Sequence, residues 1–313
     1  MNSRRTRGRL APSPTGGLHV GHARTFLIAW LLTRQAGGTV ILRIEDLDAS
    51  RVRPEASAAM IEDLAWLGLH WDEGAYVQSE RILLIEEALE VLKAKELVYP
   101  CVCSRSDIAR AASAPHAGEE GPSYPGTCSR KSAADSERLS DRPFSWRFRV
   151  PRGAVEWDDL FLGPRSLDPS LGGGDFIVAR KYHGPAYQLA VVHDDAAMGI
   201  NQVVRGDDLL PSTPRQILLY QALGCEPPRF GHVPLVVDPS GKRLAKRDGA
   251  IRLAALREAG VSAERLIGHL AGSIGIVLER EEASPNDLIA CFDLRKLPRT
   301  PWVFEVGRFL HHR

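Results

Sequence analysis

The sequence predicts an α/β fold, and three observations predict it. The first is the order strand, glycine-rich turn, helix, strand over residues 10–46, the arrangement of a nucleotide-binding α/β unit. The second is a set of short β-branched and aromatic runs downstream, interleaved with helical periodicity. The third is a helical pattern with few strand signals from Arg252 onward. A chain of 313 residues, 44% of them hydrophobic, has ample material for a core, in one large domain or in two or three small ones.

Each element has its own signal. Leu10-Ala11-Pro12-Ser13-Pro14-Thr15-Gly16-Gly17 is apolar and then turn-forming, and a helix-compatible run follows from Leu18 to Gln35. Val40 to Ile44 reads as a strand closing on Glu45-Asp46, and helical periodicity returns in Glu55–Leu67 and Ser79–Lys95. Ala109 to Thr127, rich in Ala, Ser, Gly and Pro, reads as a long loop that needs an anchor. Phe144 to Val150 alternates, with apolar side chains on one face and Arg147 and Arg149 on the other. That basic face suits either a phosphate contact or ordinary surface arginines. Further strands are expected at Phe176–Ala179, Tyr187–Val192 and Gln202–Arg205. Thr213, Pro214 and Gln216 spell a capped helix start, and Gly224 ends that helix.

Charge and cysteines narrow the function classes. Forty Lys plus Arg against 39 Asp plus Glu leave a formal net charge of +1, which excludes a histone-like protein and leaves room for a local basic face. No apolar run approaches the roughly 18–20 residues that span a bilayer. Arg4, Arg5, Arg7 and Arg9 precede no apolar stretch of the kind a secretory signal requires, so a cytoplasmic protein is expected, with no membrane partner. Of five cysteines, Cys101, Cys103 and Cys128 cluster and suggest a metal, while Cys225 and Cys291 are expected to be buried small hydrophobes.

Two segments carry chemistry. In Pro12-Ser13-Pro14-Thr15-Gly16-Gly17-Leu18-His19-Val20-Gly21-His22, a glycine-rich turn opens a helix, so free N–H groups and the helix dipole suit a phosphate. His19 and His22 project from one side of the first turn, and Gly21 lets a flat ring approach the backbone. Far downstream, Val237 to Asp248 holds Lys242, Arg243, Lys246 and Arg247 on a turn-prone stretch, a basic loop able to close over a polyphosphate.

Together these segments resemble the two signatures of class I aminoacyl-tRNA synthetases, the His-x-Gly-His motif and the Lys-Met-Ser-Lys-Ser loop. The resemblance sharpens toward the glutamyl group through Arg9–Gly16, Leu42-Arg43-Ile44-Glu45-Asp46-Leu47-Asp48, Tyr124-Pro125-Gly126-Thr127-Cys128 and Val204-Arg205-Gly206-Asp207-Asp208-Leu209-Leu210. In the basic loop, Arg243-Leu244-Ala245-Lys246-Arg247, only Lys246 matches the lysine that the family uses on ATP. The chain stops at Arg313, where a glutamyl-tRNA synthetase continues into an anticodon-binding domain. In this it resembles the shortened paralogues that place glutamate on queuosine in the anticodon of tRNA(Asp).

The resemblance implies a Rossmann-like class I catalytic domain in two halves, 1–98 and 187–250. An inserted α/β zinc-containing subdomain, 99–186, separates them, and a helical, stem-contact-like extension, 251–313, follows. It implies ATP with Mg²⁺, L-glutamate and queuosine-containing tRNA(Asp) as partners of a monomer. His19, Gly21, His22 and Lys246 would meet ATP, with His19, His22 and Lys246 in the catalytic role. Arg9, Ala11, Ser13, Glu45, Tyr187 and Arg205 would form the glutamate pocket. A substrate with two carboxylates and an ammonium suits two arginines and an acid. The competing role for Arg205 is an ion pair with Asp207 or Asp208. Cys101, Cys103 and Cys128 supply three ligands for a structural zinc. Composition favours His116 as the fourth, whereas the family pattern points to Tyr124, and Tyr124 is taken. Two other readings are a minimal synthetase charging the 3′ end of tRNA(Glu) and a non-catalytic, zinc-containing RNA-binding paralogue.

Overall fold

Apolar β-branched runs flanked by amphipathic helices build a parallel sheet whose central strands are buried on both faces. The computed structural model describes residues 5–48, 52–111, 123–139, 141–182, 184–244, 252–278 and 282–311. Strand β1 (Arg7–Leu10), helix α1 (Val20–Gln35), strand β2 (Thr39–Ile44), helix α2 (Pro54–Trp66) and strand β3 (Glu73–Val77) form the first nucleotide-type unit. β1 pairs parallel with β2, and β2 with β3. Gly8 lets α1 lie close on β1, since a Cβ there would stand 2.2 Å from Thr33 Oγ1.

Helix α3 (Ile82–Ala94) follows a single 3₁₀ turn and leads into β4 (Val98–Cys101) and the short helix α4 (Arg105–Ala111). The inserted sheet then adds β5 (Ser145–Phe148), a hairpin of β6 (Val155–Asp159) and β7 (Gly163–Leu167), then β8 (Phe176–Arg180) and β9 (Gly184–Pro185). Its order is β4-β5-β8-β9, antiparallel throughout. Chain order then returns to the parallel layer through α5 (Tyr187–Ala197), β10 (Gln202–Gly206), α6 (Thr213–Leu223), β11 (Arg229–Val233) and β12 (Val236–Val237). β10 pairs parallel with β11 and starts beside β1, where Asn201 N–H donates to the Arg7 carbonyl at 3.1 Å. The extension holds α7 (Leu253–Glu258), α8 (Ala263–Ser273), α9 (Pro285–Leu288), β13 (Trp302–Val303) and α10 (Val306–His311), with β13 paired to β12.

Parallel strands place their carboxyl ends on one edge, and ligands bind there, where the strand order reverses. In this fold that point lies between β1 and β10. One apolar core joins α1 and the sheet to α7, α8 and the C-terminal segment, through Leu27, Leu31, Leu266, Leu270 and Phe304 among others. Arg24 of α1 is fully buried against it, donating to the carbonyls of Pro234 and Ser273 and to Ser273 Oγ.

Several expectations need correction. Tyr187–Val192 lies in helix α5, because Leu189 to Val192 are all buried and an apolar run covered on several sides carries no period that separates strand from helix. Thr213 is not a side-chain cap; helix α6 starts after Ser212, and the Thr213 hydroxyl is spent on Arg205 and His232. Gly224 does end α6 in the left-handed conformation. Cys225 is half-buried and Cys291 exposed, so neither is a core residue. Arg147 and Arg149 form no free basic face. Arg147 is buried over the Tyr124 ring and donates to the Asp175 carbonyl, while Arg149 donates to the carbonyls of Glu96, Ser129 and Lys131.

Candidate functional site

The crevice between β1 and β10 gathers charged side chains that belong to widely separated segments. Arg9 is buried at the end of β1, with its Nε 3.5 Å from Asp195 Oδ1 and its Nη1 donating weakly to the Val204 carbonyl at 3.4 Å. Beyond β1 the chain turns over half-buried Ala11 and exposed Ser13. The Pro12 carbonyl accepts the Glu45 N–H at 2.9 Å, which seats Glu45 at the end of β2 against that turn. Glu45 Oε1 accepts from Arg43 Nη2 at 2.9 Å, and Arg43 Nη1 donates to Asp195 at 2.7 Å. Burial works against the charge of Arg43, but Asp195 and Glu45 outweigh it and push its guanidinium up.

Arg205 at the end of β10 is 5% exposed. It donates to His232 Nε2 at 3.0 Å, Gln216 Oε1 at 2.7 Å and Thr213 Oγ1 at 2.8 Å. None of these partners is an acid. Asp208 pairs instead with Arg243 at 2.5 Å, so the ion pair of Arg205 with Asp207 or Asp208 does not form. Burial lowers the Arg205 guanidinium, and the like charge of Arg9 lowers it further. With Asp195 acting only from a distance and no acid in direct contact, this buried cation is costly, and an arriving carboxylate relieves the cost.

Tyr187 opens α5 on the same crevice. Its side chain is 40% exposed, yet the surrounding protein and the Glu45 carboxylate raise its phenol, while Arg205 and Arg9 oppose the shift. Accessible surface beside dense protein describes the wall of a concavity. Arg9, Glu45, Tyr187 and Arg205 are thus brought together, with Ala11 and Ser13 on the adjoining turn. Sequence reasoning did not single out Arg43, Asp195, Gln216 or Tyr220, whose hydroxyl is buried near Asp195, Arg9 and Arg43. The Arg43-Ile44-Glu45 triplet and the Asp194-Asp195 doublet were the available signals for Arg43 and Asp195.

The start of α1 is built on His19. This residue caps α1 with its own ring, whose Nδ1 accepts the Gly21 N–H at 3.1 Å, while His22 Nδ1 accepts the His19 N–H at 3.4 Å. The two rings stack with centroids 3.7 Å apart. A Cβ on Gly21 would stand 2.9 Å from the His19 ring, so the flat group that this glycine admits is His19 itself. The chain past the downstream basic segment returns to the same place: His19 forms an antiparallel bridge with Arg252, and Leu253 N–H donates to the Leu18 carbonyl at 2.9 Å. Lys246 lies outside the described residues.

A second centre sits in the insertion. The thiols of Cys101, Cys103 and Cys128 lie within 4.8 Å of one another, and among the described residues they are the only group of three or more such ligands. Tyr124 Oη stands 3.4 Å from Cys101 Sγ and accepts the Cys128 N–H at 2.8 Å. His116 lies outside the described residues. Tyr99, Ile108 and Tyr124 pack around the thiols, so the cluster is a small core of its own.

The residue pattern of the family described as tRNA synthetases class I (E and Q), catalytic domain, matches residues 5–307. The chain is 50% identical over 305 residues to a glutamyl-Q tRNA(Asp) synthetase of Symbiobacterium thermophilum, covering 94% of each chain. It is 40% identical over 305 residues to glutamate--tRNA ligase 1 of Coxiella burnetii, covering 97% of this chain but 64% of that one. Its fold resembles the crystal structure of a glutamate tRNA ligase from Elizabethkingia meningosepticum in complex with its amino acid. That match has a TM-score of 0.83 at 27% identity and covers 98% of this chain and 68% of the other.

Proposed function

The chain belongs to the class I tRNA synthetases of the glutamate and glutamine group, and from this we propose that it activates L-glutamate with ATP and transfers it to queuosine in the anticodon of tRNA(Asp). It is a ligase-type enzyme with the class I α/β fold. The observation that carries the substrate reading is Arg205, a buried guanidinium without an acid partner, opening on the crevice that Arg9, Glu45 and Tyr187 share. Near-complete mutual coverage with the Symbiobacterium relative supports the acceptor.

In this reading Arg9 and Arg205 take the glutamate carboxylates, Glu45 holds the ammonium, and Tyr187, Ala11 and Ser13 shape the wall. A carboxylate oxygen of glutamate attacks the α-phosphorus of ATP in line, forming glutamyl-adenylate and releasing pyrophosphate. The protein supplies placement and charge stabilisation through His19, His22 and Lys246, with Gly21 leaving room for the His19 ring at the start of the helix. Mg²⁺ enters with ATP as part of the substrate. A ring hydroxyl of queuosine then attacks the adenylate carbonyl and AMP leaves, with no covalent enzyme intermediate. Residues 1–98 and 187–250 would carry activation, 99–186 would hold the RNA, and 251–313 would brace both. A cytoplasmic monomer fits this work, and no described helix is long and apolar enough to cross a membrane.

The thiols of Cys101, Cys103 and Cys128 fit one zinc ion because three soft donors lie within 4.8 Å of one another, and the fourth ligand in this reading is Tyr124, whose Oη is 3.4 Å from Cys101 Sγ. When bound, zinc would cross-link the start and end of the 103–128 segment.

Transfer of labelled glutamate onto two bulk tRNA pools tests the function, one pool from normal cells and one from cells unable to make queuosine. Labelling of the first pool alone is expected. Equal labelling of both would favour a minimal synthetase charging tRNA(Glu). No labelling together with no pyrophosphate exchange would leave a non-catalytic RNA-binding paralogue.

A further inference from the structure

Arg205 of β10 and His232 of β11 are direct partners in the parallel ladder, so their side chains share a face of the sheet. The Nε of a guanidinium can only donate, and it points at His232 Nε2 from 3.0 Å. That nitrogen must therefore carry the lone pair, which leaves the ring proton on Nδ1. There it meets Asp159 Oδ2 at 2.5 Å. Asp159, at the end of β6 in the insertion, is locked in turn: its Oδ1 accepts the N–H groups of Phe161, Leu162 and His232. All three side chains are buried.

We propose that His232 and Asp159 are positioning residues for Arg205, holding its guanidinium at the angle that receives a carboxylate of glutamate. A direct Asp159–Arg205 ion pair would fill the guanidinium fork and cancel its charge. The neutral imidazole between them transmits the orientation and leaves the charge unmatched. Gln216 and Thr213 hold the other two nitrogens, and Nη1 keeps a second N–H beyond the one given to Gln216. The inserted domain thereby helps to shape the amino-acid pocket, although Asp159 itself never meets the substrate. This inference rests on the glutamate-pocket reading above.

The test is glutamate-dependent exchange of pyrophosphate into ATP, with KM for glutamate and for ATP measured separately. His232→Phe removes the ring's hydrogen bonds to Arg205, Asp159 and Thr213, and Asp159→Asn can present an N–H to Nδ1 and turn the ring to the opposite tautomer. Both are expected to raise the glutamate KM by about 10- to 100-fold while the ATP KM stays within about twofold. His232→Gln keeps an acceptor for Arg205 and a donor for Asp159, and is expected to restore the glutamate KM to within about fivefold of wild type. If His232→Phe fails to fold, Asp159→Asn against His232→Gln carries the comparison. An unchanged glutamate KM in Asp159→Asn, or a parallel rise in both KM values, overturns the inference. Arg205→Lys serves as the control: if the wild type gives no exchange, or Arg205→Lys leaves the glutamate KM unchanged, the pocket reading falls and this inference with it. A raised KM in Arg205→Lys beside unchanged values in the other variants overturns this inference alone.

Discussion

Arg43 and Asp195 meet at 2.7 Å with both side chains sealed from solvent, and Arg43 reaches Glu45 with its other nitrogen. One cation thus serves two acids from different segments, and Arg9 approaches the same Asp195 oxygen. Replacing Arg43 with Met would strand buried carboxylates, at a cost of about 3–5 kcal/mol. Urea unfolding is expected to show that loss, and glutamate binding should weaken as Glu45 loses its anchor. A stability within about 1 kcal/mol of wild type would remove Arg43 from this role.

Stacked His19 and His22 are expected to act on the nucleotide rather than on glutamate. His22→Ala should lower kcat for pyrophosphate exchange by about 10²–10³-fold, the scale of losing one group that meets developing charge. The glutamate KM should move far less. A change confined to the glutamate KM would contradict the assignment.

Purified protein is expected to carry close to one zinc ion per chain by elemental analysis. Cys101→Ser should lose the metal and lower the thermal midpoint by several degrees, because a metal-linked core loses its cross-link. Pyrophosphate exchange should survive in that variant while transfer to tRNA falls. A metal-free wild type with unchanged stability on chelation would exclude the site.

Acid should weaken the fold through His232. Burial pulls its imidazole below the ordinary histidine value, with Asp159 opposing. An unfolded histidine titrates near ~6.5, so below that pH the unfolded chain binds the proton first and stability falls until the folded ring titrates too. Urea midpoints at pH 7.5 and 5.5 should therefore differ more for the wild type than for His232→Gln. Equal differences would show that His232 contributes nothing to the acid limb.

Much of the candidate pocket was legible because its members sit in short motifs with strong chemical character. Arg9, Glu45 and Arg205 end parallel strands, and alternation with helices sends those ends to one edge. His19 and His22 were legible for the same reason at the start of α1. What supports them was not. Asp159 and His232 stand 73 residues apart and meet only because β6 ends against β11. Thr213 has the composition of a cap, but a buried guanidinium competes more strongly for its hydroxyl than a helix end open to water. Arg147 and Arg149 alternate like an exposed face, yet the ring of Tyr124 and the carbonyls beside the thiols claim them. Local pattern shows which residues face one way, and partners distant in sequence decide what lies there.

Arg24 has a bearing on how the molecule comes apart. Its guanidinium sits at the seam between α1 and α8 with its pKa pulled down to about 10 by burial, satisfied by groups on both sides. Peeling α8 away would leave that cation facing carbonyls it no longer reaches, so partial opening is penalised from its first step. The nucleotide half and the extension should therefore melt in one transition, and a fragment ending before Leu253 should behave as a loose, protease-sensitive species rather than a smaller enzyme.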